Sequence, residues 1–161
     1  MMNVAFTALL PWLLCAILAG LLLAATVTDY RRRIISNKLN LTIALLAPVY
    51  WLAVGLEWWP GAPIQLGLAL VVFAIFYIFF RLGGMGGGDV KLAAALGLWF
   101  APGEMLTLIL LMSMAGAPIT LAAWADHRRA AQPGRVKVPY GIAIAVAGWV
   151  VLAQRYLNHF G

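Results

Sequence analysis

The sequence predicts an all-α membrane protein with six transmembrane helices. Its N-terminus is expected outside, and a short fourth helix follows a glycine-rich cytoplasmic loop. Three observations lead there. Of the 161 residues, 65% are hydrophobic and 10% charged, with a mean hydropathy of +0.96, against about 25% charge in a soluble domain. Uncharged runs exceed what a core helix needs and suit a bilayer. Six crossings also bring ten of the eleven basic residues to one face of the membrane. A cytosolic enzyme, a secreted disulfide scaffold and a disordered tail are all excluded by this composition. Cys15 is the single cysteine, so neither a disulfide nor a Cys-based zinc site can form within the chain.

The first span, residues 4–28, has no charge in 25 positions. A signal peptide is the rival reading, but the first 28 residues hold no Lys or Arg for a basic n-region. Residues 39–56 and 64–80 are the second and third spans, short but sufficient for a hydrocarbon core of about 30 Å. Residues 105–124 and 138–157 form the fifth and sixth. Residues 92–101 are only ten and end at Pro102-Gly103, as a half-span element would. Charge decides in favour of a crossing. With six spans, Arg31–Arg33, Lys38, Arg81, Lys91, Arg128, Arg129, Arg135 and Lys137 share the cytoplasmic face and Arg155 alone lies outside, as the positive-inside rule favours. The fourth helix is expected to begin at Asp89 or Val90. Trp58, Trp59, Trp99 and Trp124 are expected as interfacial anchors. The longest loop is 125–137, so residues 1–161 are read as one membrane domain with no methyltransferase domain.

Five acids are present. Glu57 and Glu104 fall in outside turns and Asp126 in a polar loop, where a solvated charge suffices. Asp29 ends a long apolar helix, where the helix dipole disfavours an anion; pairing with Arg32 or Arg33 in the headgroup region is one account. Asp89 follows a run in which five of seven residues are glycine, a composition that allows positive φ and close backbone approach. It can act as the N-cap of helix 4. A phosphate-cradling loop is ruled against by the missing Gly-Lys-Ser/Thr ending. On the six-span map Asp29 and Asp89 share one membrane face. Two neighbouring carboxylates cannot both ionise cheaply and so share a proton. One can then take a proton from water while the other protonates a carbonyl or leaving amine. No metal ligand set accompanies them.

These residues resemble the type IV prepilin peptidases, membrane aspartic proteases with a Gly-x-Gly-Asp hallmark. Gly86-Gly87-Gly88-Asp89 matches that hallmark, and Val90-Lys91-Leu92 continues it. Asp29, Arg33, Ile35 and Asn37 resemble the family's Asp-x-x-x-Arg-x-Ile-Pro-Asn stretch, with Ser36 at the usual proline. Val138-Pro139-Tyr140-Gly141 resembles its Pro-Tyr/Phe-Gly segment opening the last helix. The resemblance implies Asp29 and Asp89 as the catalytic pair, with Gly86, Gly87, Gly88 and Lys91 as substrate-loop candidates and no cofactor. It implies a prepilin or pseudopilin substrate with a short basic leader, cut on the cytoplasmic side of a bacterial inner membrane. The substrate helix is expected against helices 1 and 4. Membrane lipids, and not nucleic acid, are the other expected partner. The first cytoplasmic loop, residues 30–38, has no cysteine, which points to the short, peptidase-only type associated with Flp or tight-adherence pili. A presenilin-type protease fits less well, because the Pro-Ala-Leu segment is missing. A small transporter using Asp29 and Asp89 as a proton or cation relay is the alternative from another class.

Overall fold

The computed structural model describes residues 2–129 and 140–160, with the side chains of 2–8, 117–129 and 160 left aside. Six helices follow one another: α1 (Met2–Arg32), α2 (Asn37–Ala53), α3 (Gly61–Arg81), α4 (Gly87–Leu96), α5 (Pro102–Arg129) and α6 (Tyr140–Phe160). Among the described residues, Leu9–Arg32, Gly61–Arg81 and Tyr140–His159 are long and apolar enough to cross a membrane. Large apolar side chains such as Leu23, Leu45, Leu70 and Leu110 are exposed around the outside, as they are where lipid is the solvent.

The packing follows from stripes of apolar residues at helical spacing. On α1, Leu14, Leu18, Leu22 and Ala25 are buried, and Asp29 continues the same stripe. On α6, Ala143, Ala147 and Val151 do likewise. The two run antiparallel: Trp149 Nε1 donates to Ala19 O at 3.0 Å, and a Cβ on Gly148 would lie 2.8 Å from Leu22 Cδ1. α1 also packs on α2, while α4 sits among α2, α3 and α6.

Several boundaries differ from the sequence reading. α1 continues through Arg32, so residues 33–36 alone separate it from α2. Arg33 ends α1 in the left-handed region (φ 52°), its N–H donating to Asp29 O at 2.8 Å, as a C-terminal cap does. Ser36, in place of proline, caps α2 by accepting from Leu39 N–H at 3.2 Å. α5 carries helix through Arg129, so 125–129, with Asp126, is helix backbone and not loop. The expectations for the Asp126 and Trp124 side chains and for residues 130–139 fall outside the described residues.

α4 departs most. It starts at Gly87, with Gly86 as its cap, and stops at Leu96. Its ten residues rise only about 15 Å, half a hydrocarbon core. The chain continues as tight turns whose carbonyls are buried, and such backbone is tolerated at membrane depth only when protein satisfies it. Here it does. Trp51 Nε1 donates to Leu98 O at 2.7 Å, Gln65 Nε2 to Leu98 O and Phe100 O at 3.3 Å, and Arg155 Nη2 to Trp99 O at 3.1 Å. Trp99 is therefore no interfacial anchor. It is 1% exposed, donates to Ile43 O at 2.9 Å and stacks on Tyr50. Trp58 and Trp59 are exposed, as an anchor requires.

Nor is Glu104 a solvated turn charge. It sits in the first turn of α5, accepts from Ala101 N–H at 2.9 Å, and takes a two-pronged pair from Arg155, Nε at 2.8 Å and Nη2 on the other oxygen. Arg155 Nη1 reaches Tyr50 OH at 2.7 Å. One guanidinium thus ties α2, α5, α6 and the end of α4 together. Arg155→Met strips Glu104, Tyr50 OH and Trp99 O of a donor at once, and a lost partner for a buried polar group costs about 1–3 kcal/mol. The expected outcome is a thermal unfolding midpoint in detergent lowered by several degrees, with Arg155→Lys recovering only part because it lacks the planar fork.

Candidate active site

The end of the bundle opposite Arg155 gathers the C-terminus of α1 and the N-termini of α2, α4 and α6. Asp29 arrives there on the core stripe of α1 and is 4% exposed. Its position at a helix C-terminus is unfavourable for an anion, and α6 supplies the remedy. The backbone N–H groups of Gly141 and Ile142 face its carboxylate. They belong to the first turn of α6, where N–H groups have no intrahelical acceptor. Arg33 adds a favourable positive charge. Asp29 Oδ2 is buried without a hydrogen-bond partner among the described residues.

Asp89 is not the N-cap of α4 but its third residue, 5% exposed. From that position it reaches back to the N–H of the cap residue, Gly86, while its own N–H donates to Gly86 O at 3.1 Å. This is the carboxylate half of a capping box; Gly86 has no side chain to complete the other half. Gly141 N–H also faces Asp89. One backbone N–H at the start of α6 therefore serves both acids, which interact electrostatically with each other.

Three glycines have close approach as their reason. A Cβ on Gly141 would stand 2.7 Å from Asp29 Oδ2 and 2.6 Å from Ile35 Cδ1. One on Gly86 would stand 2.8 Å from Asp89 Oδ2. One on Gly88 would stand 3.0 Å from Ile35 O, where α4 presses on the α1–α2 connection. Within the glycine run only Gly83 uses a positive φ (78°); elsewhere the residue is used for space, not for backbone freedom. Gly87 faces the Phe80 ring and touches neither acid.

Lys91 lies two residues, about 200°, around α4 from Asp89, and Nζ donates to Asn37 Oδ1 at 2.7 Å. It braces α2 against α4 and is not brought to the acids. Asn40 was overlooked in the sequence. It is 4% exposed and Nδ2 donates to Gly88 O at 3.0 Å. A polar residue at the head of the buried series Asn40, Ile43, Ala47 is the signal that could have found it. Among the described residues no group of three His, Cys, Asp or Glu could hold a metal ion.

A helical membrane bundle with two buried acids meeting at one helix end is the class that fold and site define. The type IV leader peptidase family matches residues 16–121, which include both acids, and the chain belongs to that family. Prepilin leader peptidase/N-methyltransferase of Xanthomonas campestris pv. campestris is 34% identical over 90% of this chain and 53% of its own length. The protein of the same name from Aeromonas hydrophila is 34% identical over 56% of this chain and 33% of its own. That from Burkholderia pseudomallei is 29% identical over 84% and 44%. The chain thus spans about half or less of the length of these relatives. No solved structure matches it.

Glycine replacements give opposite signs. Gly141→Ala and Gly88→Ala force a methyl into occupied space and are expected to lower the unfolding midpoint. Gly20→Ala and Gly67→Ala lie inside helices with nothing within 4 Å and are expected to raise stability by up to about 1 kcal/mol. Thermal unfolding of the four variants in one detergent checks this.

Proposed function

We propose that the chain is a membrane aspartic endopeptidase that removes the short basic leader of type IV, Flp-like prepilins or pseudopilins at the cytoplasmic face. The observation that carries the reading is the meeting of Asp29 and Asp89, from two separate helices, at Gly141 N–H. With one proton between them, the ionised carboxylate takes a proton from a water as its oxygen attacks the scissile carbonyl. The protonated partner donates to the carbonyl oxygen, and the C–N bond then breaks with a proton passing to the leaving amine. Gly141 N–H holds whichever carboxylate is ionised. No step requires a cofactor.

Six crossings with the N-terminus outside complete the reading. Arg31–Arg33, Lys38, Arg81 and Lys91 are exposed at the aspartate end, and Arg155 lies at the other. The exposed bases determine topology and contact anionic lipid.

The test is co-expression with a Flp-type prepilin, read as a gel shift. Asp29→Asn and Asp89→Asn keep side-chain shape and remove charge; each is expected to reduce processing by at least about 100-fold at normal membrane levels. Asp126→Asn is expected to process normally. Normal processing by all three variants would return the relay reading to the fore.

A further inference from the structure

We propose that the cleft between α3 and α5 is the docking groove for the apolar helix of the substrate, and that the chain beyond that helix reaches the acids between Met85 and Tyr140. The inference rests on the leader-peptidase reading and adds a route to it.

The route is drawn by continuity with the site. The cleft is a groove of about 740 Å³ whose head is formed by Gly84, Met85 and Tyr140. Met85 precedes Gly86, and Tyr140 precedes Gly141. Those two glycines stand so close to the carboxylates that a Cβ on either would meet Asp89 Oδ2 or Asp29 Oδ2 at 2.8 and 2.7 Å. The gap between the two lips therefore leads on to the gap between the two acids. At its end waits Asp29 Oδ2, a buried acceptor with no donor among the described residues. A buried acceptor left unpaired calls for an explanation. A water hydrogen or a backbone N–H of an extended substrate segment would satisfy it.

The walls suit an apolar helix. Ile75 and Phe79 on α3 and Ile109 and Ser113 on α5 line the groove, and Ile75 and Phe79 are about half exposed. α3 packs mainly on α4, and α5 mainly on α6. The cleft therefore opens sideways, toward where lipid would lie, and a membrane-embedded helix can enter without crossing the polar end.

A second groove, between α2 and α3, has Asn37 and Asn40 at one end and is lined by neither Met85 nor Tyr140. It is floored by Lys91, Ala94 and Ala95, the stripe of α4 turned away from Asp89, and by Leu98 beyond the end of α4. The same stripe is the outward face of α4, and it opens beside α2 and α3. The proposed route differs from the expectation that a substrate helix lies against α1 and α4.

The test uses the full-length chain with its single cysteine replaced, Cys15→Ser, co-expressed with a Flp-type prepilin. New cysteines are placed in the proposed groove (Ile75→Cys, Ser113→Cys), in the second groove (Leu70→Cys) and on the outer face of α1 (Leu23→Cys). Single cysteines scan the first three turns of the prepilin's apolar helix, and a short bismaleimide joins pairs in reach. The expected result is adducts from Ile75→Cys and Ser113→Cys at least fivefold above Leu70→Cys and Leu23→Cys. Ser113→Phe, which fills the groove, is expected to raise KM several-fold with kcat little changed. Adducts chiefly from Leu70→Cys or Leu23→Cys, or none while the Cys15→Ser parent still processes the prepilin, would overturn the route alone. Absence of processing by the parent would overturn the peptidase reading and the route with it.

Discussion

Two carboxylates buried among apolar helices need hydrogen bonds that the surrounding hydrocarbon cannot supply. In this bundle the first turn of α6 turns its free N–H groups toward them, and the rest of the architecture serves to bring the acids to it. Asp29 sits at the wrong end of α1 for a negative charge. It is tolerable because free N–H groups of a neighbouring helix start beside it. Asp89 faces the same N–H and the cap N–H of its own helix as well. The absence of a side chain at Gly141 lets a helix terminus come this close to two acids at once.

Such a junction requires its members to be held in register over the depth of the bundle. α4 is short because its N-terminus must meet the α1–α2 connection and α6 at one end while the turns after it are held by α2, α3 and α6 at the other. The turns after Leu96 take up the remaining depth, and Trp51, Gln65 and Arg155 satisfy their carbonyls. The Arg155–Glu104 pair stands at that far end. Its anchoring of α6 fixes how far down the helix Gly141 falls relative to Asp29. Close contact of Gly148 with Leu22 midway along sets the same register a second time. The site is thus positioned by backbone-to-backbone proximity and by side chains bonded to carbonyls, both of which resist sliding.

Much of this was legible in the residues. Helix number and order followed from uncharged runs separated by bases, and Asp29 and Asp89 stood out because few acids exist and these two lacked a solvated setting. Helix ends were less legible. Arg32 and Arg129 remain helical since lysines and arginines are good helix formers and favour a C-terminal turn. Asp89 reads as an N-cap by residue type, yet three glycines let the helix begin two residues earlier. Trp99 and Glu104 were misread for one reason: both lie next to a span end in the sequence, and only the fold reveals that this end is covered by Arg155 and Tyr50. Gly141 was visible as part of a helix opening, but its meeting with two acids more than fifty residues away depends on tertiary packing that no local pattern encodes.

The account turns on the two carboxylates sensing one another, and that is directly measurable. The chain has three aspartates, Asp29, Asp89 and Asp126, so selective carbon-13 labelling of aspartate carboxyls yields three signals to follow against pH in detergent micelles. The account predicts that Asp89→Asn changes the titration curve of Asp29, that Asp29→Asn changes that of Asp89, and that Asp126 responds to neither. Titration curves of Asp29 and Asp89 that stay the same when the other acid is removed would contradict it.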